Sequence, residues 1–228
     1  MSCLIHIETS TKVCSVALSK DKKVLFYKEN QEGSFHAELL GVFVYETFQY
    51  AKQNGLNLDA VSVSAGPGSY TGLRIGISEA KGFCYGLGIP LIAIPSLEIM
   101  AGQVVQSKED ADFYCPMIDA RRMEVYAAVY DKRLNKLRDM AADIIDENSY
   151  IEFLSKGKVY FFGDGSAKCK AIISSPNARF LGNIYPMASG MVSIAEKKYE
   201  QKEFVNTAYF EPFYLKEFMA TIAKNKII

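Results

Sequence analysis

The sequence is short of the residues that carry most metal and thiol chemistry. It has two histidines, His6 and His36, which would leave a zinc or iron ion with one imidazole and scattered oxygens. Its five cysteines, Cys3, Cys14, Cys84, Cys115 and Cys169, are odd in number, widely separated and never in a C-x-x-C pair. Most stand among apolar residues and read as small buried hydrophobes rather than as a disulfide framework or a thiolate metal site. An excess of charge of one sign is also missing. Lys plus Arg number 26 and Asp plus Glu number 26, so any nucleic-acid contact must be local or supplied by a partner. No charge-free run reaches membrane-spanning length, and the amino terminus has no leader pattern; a cytoplasmic protein with no membrane partner is expected. Neither an H-E-x-x-H helix nor a Ser, His and acid arrangement can be picked out, which removes support for a peptidase.

What is present suffices for a full core. The 228 residues are 49% hydrophobic and 23% charged, ordinary proportions for a globular protein of one domain or two compact lobes. The chain is organised around Ser64-Ala65-Gly66-Pro67-Gly68-Ser69-Tyr70-Thr71-Gly72-Leu73-Arg74. It follows the apolar run from Ala60 to Val63 and opens a helical pattern running to about Leu87. Gly66 and Gly68 flank a proline that fixes its own φ, so a tight loop is expected, with Ser69 or Thr71 capping the helix. Unpaired N–H groups at such a helix start make an anion site conceivable. The spacing matches neither the phosphate-loop nor the dinucleotide fingerprint. Two readings stay open: direct phosphate contact, or a loop that holds the strand-to-helix geometry and presents an interface.

Along the chain, Leu4 to Ile7, Val13 to Leu18 and Val24 to Tyr27 read as a meander of three strands. Phe35 to about Tyr50 has helical period, with Phe35, Leu39, Val42, Phe43 and Glu46 on one face and further apolar residues around it. That breadth suggests packing on the sheet and on a second protein surface. After the strand Ala60 to Ser64, the helix Thr71 to Leu87 carries a core stripe of Leu73, Ile77, Ala80, Cys84 and Leu87. Its glycines, Gly72, Gly76 and Gly86, each cost about 1 kcal/mol against alanine, which calls for close approach by another helix or a ligand. Pro90 to Ile94 is a strand, and Ser96 looks like the cap of the next helix. The charged stretch at 108–110 is the expected lobe boundary, giving a first lobe of 1–108 and a second of 109–228, with the tail 209–228 packing back on the body as a clasp. In the second lobe the order strand, strand, strand, helix, strand recurs, with Asp119 placed as Glu8 is in the first. Both acidic turns are expected to face a cleft between the lobes. This predicts an α/β protein with duplicated mixed-sheet lobes.

Ala65-Gly66-Pro67-Gly68-Ser69-Tyr70-Thr71-Gly72-Leu73-Arg74 and Asp119-Ala120-Arg121-Arg122-Met123-Glu124-Val125-Tyr126 are the most specific parts of a resemblance that spans nearly the whole chain. The sequence resembles the TsaB family of bacterial tRNA threonylcarbamoyladenosine biosynthesis proteins, formerly grouped with glycoprotease-like proteins. The resemblance implies a two-lobe actin-like ATPase or sugar-kinase type fold, ribonuclease H-like in each lobe. It implies a non-catalytic activator of the paralogue TsaD, in a machine that also contains the ATPase TsaE, with tRNA reached only through the complex and a homodimer formed when alone. It places the interface on the two helices of the first lobe, with Leu39, Val42, Phe43 and Tyr45 contributing side chains and Gly72, Gly76 and Ala80 allowing close approach.

No catalytic or metal residue is assigned. The metal helix of the catalytic paralogue carries two histidines four apart, whereas here His36 is followed at that spacing by Leu40. No cofactor is required; weak binding of ATP or ADP with Mg2+, at a subunit interface, is the open alternative. Its candidate contacts are Glu8, Ser10, Gly66, Gly68, Asp119 and Arg121. Glu8 stands where the family usually has aspartate, and Arg121 with Arg122 is either a solvated turn or a small phosphate contact. The competing class is an autonomous kinase-like or ATPase enzyme of the same fold, with a metallopeptidase as the weaker form.

Overall fold

The computed structural model describes residues 2–33, 35–107, 110–182 and 184–216. β1 (Cys3–Glu8) is buried along its whole length, as a central strand covered on both faces must be. It pairs antiparallel with β2 (Cys14–Lys20), which pairs antiparallel with β3 (Lys23–Asn30). On its other side it pairs parallel with β4 (Ala60–Ser64), which is followed by β5 (Leu91–Ile94). The order β3-β2-β1-β4-β5 is repeated in the second sheet. There β6 (Phe113–Asp119) is central, flanked by β7 (Glu124–Tyr130) and β8 (Lys136–Ile144) antiparallel, and by β9 (Val159–Phe162) and β10 (Ala178–Phe180) parallel. The expected duplication is therefore one of topology, with the short α4 (Ile151–Leu154) and α5 (Ser166–Cys169) in the second lobe.

One face of the first sheet is covered by α1 (His36–Gln53) and α2 (Tyr70–Leu87), whose Leu40, Val44, Ile77, Ala80 and Cys84 join Ile5, Ile7, Val16 and Val63 in one core. Each such fully buried aliphatic side chain contributes about 1.5–3 kcal/mol. Ser69 caps α2 by accepting from Gly72 N at 3.2 Å, and Gly88, left-handed at φ 66°, ends it. The face of α1 turned to the sheet is Leu40, Val44, Thr47 and Ala51, a different side from the stripe of Leu39, Val42 and Phe43. Leu87, assigned to the core stripe of α2, is exposed.

Two further expectations are corrected. Ser96 is the first residue of α3 (Ser96–Gln106) rather than its cap, and its hydroxyl has no partner. The segment after residue 187 does not belong to the second lobe. A 3-10 turn (Ala188–Met191) and α6 (Val192–Glu200) cover the other face of the first sheet, where Met191, Ile194 and Ala195 pack on Leu4, Ala60, Ile92 and Ile94. Ala188 N donates to Ser15 Oγ at 2.9 Å and Ser2 Oγ to Glu196 Oε1 at 2.5 Å. α3 lies between the sheets, Ile99 in the core of the first and Leu97, Met100 and Val104 against Tyr114, Ile118 and Phe162 of the second. The boundary at 108 thus marks where the second lobe starts, while 109–228 is not one lobe; of the tail 209–228, residues 217–228 lie outside the described residues.

Candidate functional site

A cleft of about 1010 Å3 opens between the lobes, lined on one side by Ser10, Lys12, Gly68 and Ser69 and on the other by Asp119, Arg121, Arg122 and Asp164. The glycine loop is held on every side by its own chain. Ala65 N donates to Ile94 O at 2.8 Å, Ser96 N to Gly66 O at 2.9 Å and Ser69 N to Ser10 O at 2.6 Å. Gly66, at φ +103°, lies so close to Phe213 O that a Cβ would sit 2.6 Å from it, and a Cβ at Gly68 would overlap the Ser10 carbonyl. These bonds fix the turn from strand to helix and take up the Ala65 and Ser69 amides, which favours the geometry-holding reading.

Gly72 and Gly76 do not form a strip open to a partner. A Cβ on either would overlap Thr9, whose Oγ1 donates to Gly72 O at 2.8 Å, and Ala80 is fully buried. All three belong to the fold of the monomer, because the turn after β1 must approach α2 this closely. The open positions are Gly41, Gly82 and Gly86, where an added Cβ meets nothing within 4 Å. α1 and α2 lie side by side, with Phe48 and Phe83 edge to face at 5.2 Å. Their outer face exposes Val42 by 49%, Tyr45 by 63% and Tyr85 by 88%, whereas Leu39 and Phe43 are half-buried.

Of the candidate phosphate contacts, Ser10, Gly68, Asp119 and Arg121 line the cleft; Glu8 and Gly66 do not. Glu8 is not a solvated turn acid. It is fully buried, its Oε1 accepts from Ser10 N at 2.5 Å and its Oε2 has no partner. Burial pushes its carboxyl up to about 7. Asp119 remains exposed, pairs with Lys168 and accepts from Arg121 N at 3.1 Å. Lys168 also donates to Arg122 O at 2.8 Å and Glu124 O at 2.7 Å, fastening a turn in which Arg121 (φ 70°) and Arg122 (φ 49°) are both left-handed. Neither guanidinium has a partner among the described residues. Asp164 Oδ1 accepts from Asp119 N at 3.0 Å, and burial raises its pKa. Among the described residues, two carboxylates facing each other across the cleft, which a shared Mg2+ would use, are therefore not found.

His36 Nε2 donates to Val13 O at 3.2 Å, and Leu40, one turn on, is buried. His6 bridges Ser62 Oγ and Ser19 Oγ, each at 2.7 Å, and burial pushes it down to about 3. Among the described residues no group of three or more His, Cys, Asp or Glu side chains could hold a metal ion, and no helix is long and apolar enough to cross a membrane.

A family model described as "TsaD: tRNA N6-adenosine threonylcarbamoyltransferase" matches residues 31–224. The chain belongs to this family. Its relatives include the tRNA threonylcarbamoyladenosine biosynthesis protein TsaB of Haemophilus influenzae, 27% identical over 225 residues that cover 93% of each chain. The TsaB of Escherichia coli is 34% identical over 132 residues, 58% of this chain and 56% of that protein. In structure the chain is similar to YeaZ from Pseudomonas aeruginosa, with a TM-score of 0.82 and 25% identity over 94% of this chain and 100% of that one. The TsaB resemblance carried by the two sequence motifs is thus found again, and with it the two-lobed actin-like fold. Within the TsaD family, what sequence reasoning missed is the buried state of Glu8 and the His6 network. The run Thr9-Ser10-Thr11 after β1 looks like a solvated turn, and only its burial under the glycine loop shows otherwise.

Proposed function

We propose that this chain is a non-catalytic partner subunit in the formation of threonylcarbamoyladenosine on tRNA, docking a TsaD-type catalytic paralogue through the outer face of α1 and α2 and working with a TsaE-type ATPase. The observation that carries this reading is at Leu40. The position that would complete a metal-binding histidine pair with His36 is a core residue, 1% exposed, and His36 itself is bonded to Val13 O. Nothing of the metal helix is left to build on, whereas the helix pair presents Val42, Tyr45 and Tyr85 beside the open glycines Gly41 and Gly82. Exposed tyrosines next to flat backbone are what a packed helix interface uses. A second copy of the chain uses the same face when the paralogue is absent. The autonomous kinase reading has less support, since Glu8 is turned into the core and Asp119 is paired with Lys168.

The test is reconstitution of the matching paralogue, ATPase, threonylcarbamoyl-adenylate and tRNA with and without this chain. Addition raises modification well above the level without it. Tyr45→Glu abolishes the gain while Asp119→Ala reduces it less. Equal product with and without the chain overturns the assignment.

A further inference from the structure

Residues 204–216 run from the end of α6 back across the first lobe and finish on the second. Val205 N donates to Leu91 O at 2.9 Å, adding a bridge to the edge of the first sheet. Lys81 of α2 donates to the carbonyls of Ala208 at 3.0 Å and Phe210 at 3.1 Å, and the Phe210 ring packs against the core of that sheet. Beyond Pro212, Phe213 N donates to Ala65 O at 2.8 Å. Tyr214 lies tilted on Tyr70 with ring centroids 4.9 Å apart, and its hydroxyl accepts from Arg74 Nε at 3.1 Å. The last described residue, Lys216, pairs with Glu124 at the start of β7. Residues 213–216 line the cleft together with the glycine loop and the turn at 119–124.

We propose that residues 205–216 are a strap anchored on the first lobe, and that the Lys216–Glu124 pair is the latch by which it limits how far the interlobe cleft can open. The two ends differ in kind. On the first lobe the strap is held by main-chain bonds, by hydrogen bonds from Lys81 and Arg74, by an apolar side chain in a core and by a ring contact, a distributed set that no single charge carries. On the second, among the described residues, it is held by one ion pair with side chains 39% and 21% exposed. Pairs of that exposure hold weakly and are screened by salt. Losing it leaves the Asp119–Glu124 turn intact, because Lys168 fastens the Arg122 and Glu124 carbonyls independently. The lobes are also joined through α3, packed in both cores, and through the segment that passes Lys12 at Tyr185. Release of one surface pair therefore frees the mouth of the cleft without unfolding either lobe.

The experiment is double electron–electron resonance on the full-length protein, with spin labels at Gln53→Cys in the first lobe and Lys132→Cys in the second. Both sites are exposed, and the five native cysteines are buried. The distance distribution is compared for the parent, Glu124→Gln and Lys216→Ala, with circular dichroism as the folding control and the parent repeated in about 1 M salt, where the screening length is about 3 Å. Opening of the latch lengthens the mean distance by several ångströms and broadens its distribution in both variants and in salt. The Phe213 amide still exchanges slowly with deuterium, since its anchor is untouched. An unchanged distribution in both folded variants overturns the proposal. So does a Phe213 amide that exchanges in the parent as fast as in a free peptide.

Discussion

Thr9 stands where a side chain at Gly76 would have to go: its Oγ1 lies inside contact distance of the Cβ that any other residue would carry there. The same threonine bonds the Gly72 carbonyl at 2.8 Å. The small residues of α2 are thus a fitting between β1 and the helix that follows the glycine loop. Gly76→Ala should lower stability by about 1–3 kcal/mol through overpacking, read as a fall in melting temperature of the isolated chain. An unchanged melting temperature would mean that Thr9 yields its place freely.

Gly82 offers the contrast, since its added Cβ meets nothing. Gly82→Leu should leave stability within about 0.5 kcal/mol, as surface changes usually do, and should disrupt both self-association and capture of the paralogue. Size-exclusion chromatography with light scattering, followed by a pull-down, checks this. A folded variant that associates at wild-type strength would place the interface elsewhere.

Stability should depend on pH in two opposing ways. Burial raises Glu8 from 4.5 to about 7, so the folded state binds more protons than the unfolded state between these values. Stability therefore falls as pH rises through that window, by about 3 kcal/mol in all at about 1.4 kcal/mol per unit. Burial lowers His6 from 6.5 to about 3; its contribution is complete above 6.5 and is lost as pH falls toward 3. Denaturant unfolding at pH 8 should find Glu8→Gln more stable than the parent, with the difference shrinking toward pH 4.5. Equal midpoints at pH 8 would show that the Glu8 carboxylate is stabilised by groups other than Ser10.

Arg121 and Arg122 hold left-handed backbone that costs about 1–2 kcal/mol per residue outside glycine, in a turn fastened by Lys168. Replacing both by glycine should raise the melting temperature while reducing tRNA modification in the reconstituted system. Greater stability with full modification would assign the arginines no part in the complex.

Lys168→Met should act in the opposite direction. It removes a cation that serves Asp119 and two carbonyls, Arg122 and Glu124, so a loss of about 1–3 kcal/mol is expected. Amide exchange should rise at residues 119–124 and stay unchanged in the first lobe.

Much of this architecture was readable from local signals. The strand before the glycine loop, the cap at Ser69 and the recurrence of three strands, a helix and a strand each depend on residues close in sequence. The sheet-facing side of α1 did not follow the same way. Leu39, Val42 and Phe43 are as apolar and as regularly spaced as Leu40, Val44 and Ala51, and only the position of β2 decides between them. The burial of Glu8 has no local signal for a related reason, since the loop packed over its turn arrives some sixty residues later. The membership of residues 188–200 in the first lobe has no local signature, because it depends on packing Met191 and Ile194 against Leu4 and Ala60.

That last feature has a bearing on how the protein is made. β1 is the central strand of its sheet and precedes every other described element, yet part of one of its faces stays uncovered until α6 has been synthesised. The second lobe is in effect an insert between the two segments of the first, and can condense while its host is still half-built. A chain stalled before residue 188 would display Leu4, Ala60 and Ile92 to solvent or to whatever chaperone waits at the tunnel exit.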